Sequence, residues 1–140
     1  MGATLTRFES HFLAALPLYL TRSVDEIPEA AEFVDAARQA SAFLIASPGW
    51  HGSVSGSIKN ALDYLEETAG DARPYFDQHP VGLIATAYGW QAAGTTLTAM
   101  RTIIHALRGW PTPLGVANNC SQPIFEHGKP VNAGVAAQLR

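Results

Sequence analysis

The chain has 140 residues, a net charge of −3 and 47% apolar residues. That length supports one hydrophobic core rather than two, and the apolar content argues against a disordered chain. No Lys/Arg cluster offers a surface for a nucleic-acid backbone, no apolar run is long enough to span a membrane, and the first residues lack a signal-peptide pattern, so the expected address is the cytoplasm.

The elements read in order as β, α, β, α, β, α, β and a partial α, the alternation of a parallel α/β sheet. Ala3 to Glu9 reads as a short first strand, followed by a loop at Leu16-Pro17-Leu18-Tyr19. Asp25 and Pro28 open a helix at cap and first-turn positions, and Ala31, Val34, Ala37 and Arg38 carry it to Gln39. The run from Ala42 to Ser47 has the continuity of a strand covered on both faces, and Pro48 is expected to end it. A helix then spans roughly Ser55 to Glu67, with Ser53 or Ser55 as cap and Gly70 as terminator. Its Ile58, Leu62 and Leu65 recur at helical spacing and are expected to face the sheet, while Lys59 and Asn60 hold the helix against its neighbours.

After the polar connector Arg73 to His79, Pro80 hands over to a third strand, Val81 to Ala85. A helix from Ala92 to Arg108 carries Leu97, Met100, Ile103, Ile104 and Leu107 at steps of three and four residues. Gly109, Pro111 and Pro113 break it, and Leu114 to Ala117 form a fourth strand. Pro130-Val131-Asn132 caps a last helical pattern with Val135 and Leu139 four residues apart.

Chemistry concentrates between the second strand and its helix. Gly49, Gly52 and Gly56 permit backbone angles and close approaches that a Cβ would block, so several backbone N–H groups are expected to converge on one spot. Trp50 and His51 add a flat aromatic surface and a hydrogen-bonding ring, which suit a planar heteroaromatic ligand with polar edges. Such a loop, at the carboxyl end of a parallel strand, is where open α/β sheets bind ligands.

The string Pro48-Gly49-Trp50-His51-Gly52-Ser53-Val54-Ser55-Gly56-Ser57-Ile58-Lys59-Asn60-Ala61-Leu62-Asp63-Tyr64-Leu65 resembles the signature of the NADPH-dependent FMN reductase family. The resemblance continues through Pro80 to Gln91 and Leu107 to Gly115, and so covers most of residues 40 to 120. It implies one flavodoxin-like domain over residues 1–140, a three-layer parallel sheet with helices on both faces. By the same resemblance, Pro48, Gly49, Trp50, His51, Gly52 and Ser53 line the isoalloxazine and ribityl parts of FMN, and Ala87, Tyr88, Gly89 and Trp90 form a second flavin loop. Tyr88 occupies the place of the first glycine of a Gly-Gly pair common in the family, and Gly89 and Gly94 keep the permissive backbone of the turn. Trp50 reads either as ring surface or as packing against a partner subunit, His51 as ligand contact, cap or surface, and Trp90 as reaching a neighbouring subunit's flavin or covering an interface.

The family also begins with a βα unit whose turn, Gly-Ser-x-Arg-x-x-Ser, wraps the FMN phosphate. No such string stands in residues 1–40, so the first unit is expected to be missing and the domain incomplete at the N-terminus and at the C-terminus. Three accounts stay open: a start assigned too far downstream, a degenerate reductase, or a rearrangement in which Ala3 to Glu9 fills the vacancy beside Ala42 to Ser47.

Other chemistries fail on spacing. In Gly52-Ser53-Val54-Ser55-Gly56 a valine holds the place of a hydrolase nucleophile. His11, His51, His79, His105 and His127 show no metal-ligand spacing, and there is no dinucleotide fingerprint or P-loop. Cys120 reads as a small buried hydrophobe near a strand end.

The first expectation is therefore an FMN-dependent oxidoreductase. NADPH or NADH would act as exchanging substrate, with flavin, quinone, azo compound or metal oxyanion as small-molecule acceptor, in a homodimer or homotetramer by resemblance. The alternative is a flavodoxin-like remnant or association module without FMN-dependent activity. A one-electron carrier fits less well, since no acidic charge gathers around the loops.

Overall fold

The computed structural model describes residues 2–131 and 133–138. It contains two compact units, one of residues 1–40 and 56–75, the other of residues 41–55 and 76–140.

The first unit is helical. Ser10–Ala15 forms α1, Pro28–Gln39 forms α2 and Gly56–Asp63 forms α3, with 3₁₀ turns at Val24–Glu26 and Tyr64–Thr68. Pro28 stands at the first turn of α2, where its missing N–H costs no helical bond. Leu13, Leu16, Ile27, Ala30, Val34, Ala61 and Tyr64 form its core, and Phe8 packs its ring 4.8 Å from Phe12 and 5.2 Å from Phe33. The expected strand from Ala3 to Glu9 is not present, and the chain there runs without regular structure into α1. Alternation too short to specify a strand gives way here to the burial of Phe8 and Phe12. Asn60 accepts the Tyr19 N–H at 2.9 Å and donates to the Pro17 carbonyl at 2.8 Å, while Tyr64 Oη donates to the same carbonyl at 3.0 Å. Asn60 thus ties the Leu16–Tyr19 loop to α3, the packing role expected of it, and Lys59 pairs with Asp63 one turn on.

The second unit holds the sheet. Its strands are β1 (Phe43–Trp50), β2 (Ser53–Val54), β3 (Pro80–Ala87), β4 (Trp110–Pro111) and β5 (Val116–Asn119), and β6 (Phe125–Glu126) with β7 (Lys129–Pro130) makes a separate small hairpin. β1 runs parallel to β3 from Phe43↔Val81 to Pro48↔Thr86, and β3 pairs in parallel with both β4 and β5. Among the described residues of this five-stranded sheet, β2 pairs antiparallel, joined to the end of β1. The mostly parallel α/β architecture expected from the sequence is therefore the one observed.

Helix α4 (Trp90–Ala106) packs on β3 with Ala93, Thr96, Met100 and Ile104 buried, starting two residues before the expected Ala92 and ending two before Arg108. Val81, Leu83, Ala85 and Ala87 of β3 are buried, alternating with half-buried neighbours. A short helix, α5 (Ala133–Gln138), follows the small hairpin, and Asn132 and Leu139 of the expected last helical pattern lie outside the described residues.

Two expectations for β1 are corrected. The strand does not stop at Pro48 but continues to Trp50. Among the described residues β1 has β3 on one side and β2 only at Gly49 and Trp50 on the other, so the missing N–H of Pro48 sits at an edge where a proline is tolerated. Nor is the strand covered on both faces: Leu44 is 68% exposed, and Ala46, Pro48 and Trp50 are exposed with it. A strand face is covered by what packs on it rather than by lateral neighbours, and α4 is the described helix of this unit that packs on β1. The fourth strand begins at Val116 rather than Leu114, which is exposed outside it.

Candidate functional site

The Pro48 to Ser53 segment is a tight hairpin. Trp50 pairs with Ser53 and Gly49 with Val54, leaving His51 and Gly52 as a two-residue loop. Their φ values are 52° and 88°, both in the left-handed region, as a type I′ hairpin turn demands. Gly52 takes that conformation freely, and histidine is one of the residues that enter it at modest cost. Trp50, His51, Gly52 and Ser53 are all exposed at the tip.

The base of the hairpin is pinned from within. Buried Ser47 accepts the Ser55 N–H through Oγ at 3.1 Å and donates from the same hydroxyl to the Pro48 carbonyl at 2.9 Å. Gly49 is required where it stands, because a Cβ there would overlap the Thr96 hydroxyl and lie 3.1 Å from the Ala87 Cβ.

The second loop emerges beside the first, since Pro48 and Thr86 are register partners at the carboxyl ends of neighbouring parallel strands about 4.8 Å apart. Ala87 is buried, Tyr88 and Trp90 are exposed, and Gly89 adopts φ 109° and ψ 145°, a region in practice open only to glycine. The Gly89 N–H donates to Asn119 Oδ1 at 2.8 Å, and its carbonyl accepts the Ala93 N–H at 3.1 Å as α4 begins. The Cys120 N–H donates to the Ala87 carbonyl at 2.8 Å. The end of β5 thus forms a third wall, and Asn119, which also accepts the Ser121 N–H at 2.9 Å, is its organising residue.

All ten predicted site residues therefore lie in one unit on two adjacent loops. Sequence reasoning missed Asn119 and Thr96. An asparagine ending a strand, beside a turn that only glycine can make, was the available signal for the first, but the register that joins residues 89 and 119 is not written in local pattern. The expectation of many free amides is narrowed, since the Gly89 N–H is held by Asn119 and Gly49 belongs to the β1–β2 ladder. Cys120 is exposed rather than buried, because β5 ends at Asn119 and the chain turns outward there.

The donor set suits the ring end of a flavin. Trp50, Tyr88 and Trp90 are 64%, 83% and 64% exposed around the paired loops, which provides aromatic surface for a planar ligand. Neither loop contains a lysine or arginine, so their side chains offer aromatic surface and no cation.

A parallel α/β sheet carrying an aromatic-flanked loop pair at the carboxyl ends of adjacent strands belongs to the ligand-binding open-sheet class. The chain is a member of the NADPH-dependent FMN reductase family, whose model matches residues 1–121, further toward the N-terminus than the two motifs extend. It is 36% identical over 102 residues to an FMN-dependent NADPH-azoreductase of Staphylococcus aureus, covering 72% of this chain and 50% of that protein. The chain thus spans about half the length of the azoreductases it matches. In fold it is similar to the flavoenzyme NAD(P)H:(acceptor) oxidoreductase FerB of Paracoccus denitrificans, with TM-score 0.72, 19% identity and coverage of 91% of this chain and 70% of that one. An oxidoreductase of Corynebacterium diphtheriae gives TM-score 0.63 at 20% identity, over 80% of this chain and 56% of the other.

Proposed function

We propose that this chain forms the ring-binding half of an FMN site and serves an NAD(P)H-dependent oxidoreductase that passes electrons to a small-molecule acceptor. The observation that carries the reading is the side-by-side emergence of the His51-Gly52 hairpin and the Gly89 turn from β1 and β3, flanked by Trp50, Tyr88 and Trp90. Pro48 to Ser53 would border one edge of the isoalloxazine and Ala87 to Trp90 the other. Ser47 pins the base of the first loop and Asn119 the turn of the second, so the ligand has less to order on binding. FMN, when bound, supplies hydride acceptance from NADPH or NADH and electron delivery to the acceptor. No side chain of these loops needs to transfer a proton for that chemistry, and the exposed indoles would shield the ring from water.

The azoreductase relatives favour an azo compound among the acceptors, with flavin, quinone and metal oxyanion as the other classes. Exposed Trp50 and Trp90 also support self-association, with the indoles covered by a second copy as a homodimer or homotetramer forms. The test is a fluorescence titration of FMN with the protein, with phosphate-free riboflavin in parallel. Comparable quenching of both flavins supports ring recognition by these loops. Quenching of neither overturns the reading and favours an association module without flavin chemistry.

A further inference from the structure

Helix α4 contains four threonines, and three of them follow one rule. Thr95, Thr98 and Thr102 donate their hydroxyls to the carbonyls of Gln91, Gly94 and Thr98 at 2.9, 3.1 and 3.2 Å, the ordinary way a helical threonine satisfies its oxygen. Thr96 does not. It is fully buried, and its Oγ1 has no hydrogen-bond partner among the described residues. A Cβ placed on Gly49 would meet this hydroxyl before it reached the Thr96 Cβ at 3.1 Å, so the oxygen is directed at the Gly49 backbone.

An unpartnered buried hydroxyl lowers stability, and a valine of nearly the same size would not carry that cost. The same helix starts at Trp90, in the second loop, so one rigid element carries the Gly89 turn at its N-terminus and the Thr96 hydroxyl beneath the first hairpin.

We propose that Thr96 is a positioning residue for the flavin ring. Its hydroxyl is the donor that the Pro48-Gly49-Trp50 backbone engages when the hairpin settles on the ligand, which fixes the first loop in register with the second. This rests on the flavin reading given above, and it assigns the residue no part in the chemical step.

The experiment compares wild type, Thr96→Val and Thr96→Ser by thermal unfolding without ligand and by fluorescence titration with FMN and with riboflavin. For Thr96→Val the expected result is an unfolding temperature equal to or above wild type, with both flavins bound about threefold to tenfold more weakly, as for loss of one hydrogen bond. Thr96→Ser, which keeps the hydroxyl, restores affinity to near the wild-type value. A role in packing alone would move the unfolding temperature and leave both affinities unchanged, and that outcome overturns the proposal. Wild-type protein that binds neither flavin overturns the flavin reading itself, and this inference with it. The two failures are distinguished by the wild-type titration.

Discussion

The Gly89 N–H donates to Asn119 Oδ1 at 2.8 Å, across thirty residues of chain, and so fastens the turn after β3 to the end of β5. Because Gly89 holds a conformation that only glycine enters readily, the turn has no side chain of its own to stabilise it. Asn119 supplies the missing constraint, and its second acceptance, from the Ser121 N–H, fixes the amide itself. Replacing Asn119→Ala leaves two half-buried N–H groups without their acceptor, which is expected to cost about 1–3 kcal/mol by chemical denaturation. Flavin affinity should fall with it as the Tyr88-Gly89 segment loosens. Asn119→Asp keeps the acceptor oxygen and is expected to retain most of the stability. Equal losses in the two variants would refute the role of the oxygen.

Gly49 and Thr96 form a fitted pair at the base of the hairpin. A Gly49→Ala substitution puts a methyl group against the Thr96 hydroxyl and 3.1 Å from the Ala87 Cβ. Overpacking of that kind costs about 1–3 kcal/mol. Combining it with Thr96→Ala opens the needed volume, so the double variant should be more stable than the sum of the two single effects, by about 1 kcal/mol in a double-mutant cycle. Additive effects would show that the two positions do not touch.

What the sequence revealed and what it hid divide along a physical line. The two loops were legible because glycines, prolines and aromatics in Pro48-Gly49-Trp50-His51-Gly52-Ser53 and Ala87-Tyr88-Gly89-Trp90 are local signals; of the stripe read on α4, Met100 and Ile104 are buried, while Leu97, Ile103 and Leu107 are half-buried and the small Ala93 and Thr96 complete the buried face. The short runs were not. Ala3 to Glu9 alternates weakly enough for Phe8 and Phe12 to claim a helical core instead, and Pro48 breaks a strand only where its N–H would have faced a partner. The hairpin turn was not read from the sequence: His51-Gly52 occupies the place of the commoner Asn-Gly, and the two-residue turn depends on Trp50 pairing with Ser53 beyond the expected strand end at Pro48. Asn119 and Thr96 were hidden because the residues they face stand thirty and forty-seven positions away, brought near by strand register in the first case and by helix-on-sheet packing in the second.

Tyr19 offers a check on the helical unit. Its phenol donates to Glu67 Oε1 at 2.9 Å, and its pKa is pushed up to about 12 by burial first, then by that hydrogen bond and by the charges of Glu67, Glu66 and Asp63. The folded state therefore favours the protonated phenol more than the unfolded state does. The resulting stability is complete below the ordinary tyrosine value, near pH 10, and is lost as pH rises through about 12. Absorbance titration of tyrosinate should show a late transition that Tyr19→Phe removes and Glu67→Gln moves downward. A Tyr19 transition at the ordinary value would show that the Tyr19 phenol is not held against Glu67 in the Tyr64–Thr68 turn.

His51 separates the geometry of the hairpin from its chemistry. Its φ of 52° suits histidine or asparagine but is strained for a β-branched residue. His51→Val is expected to destabilise the protein by about 1–2 kcal/mol and to weaken flavin binding by opening the turn. His51→Asn preserves the type I′ preference, with Asn-Gly at its centre, and is expected to match or exceed wild-type stability. Flavin affinity in that variant then isolates the imidazole. An unchanged value assigns His51 to the turn alone, while a loss at constant stability assigns its ring to the ligand. If His51→Val unfolds no more easily than wild type, the two-residue turn is not what holds Trp50 and Ser53 together.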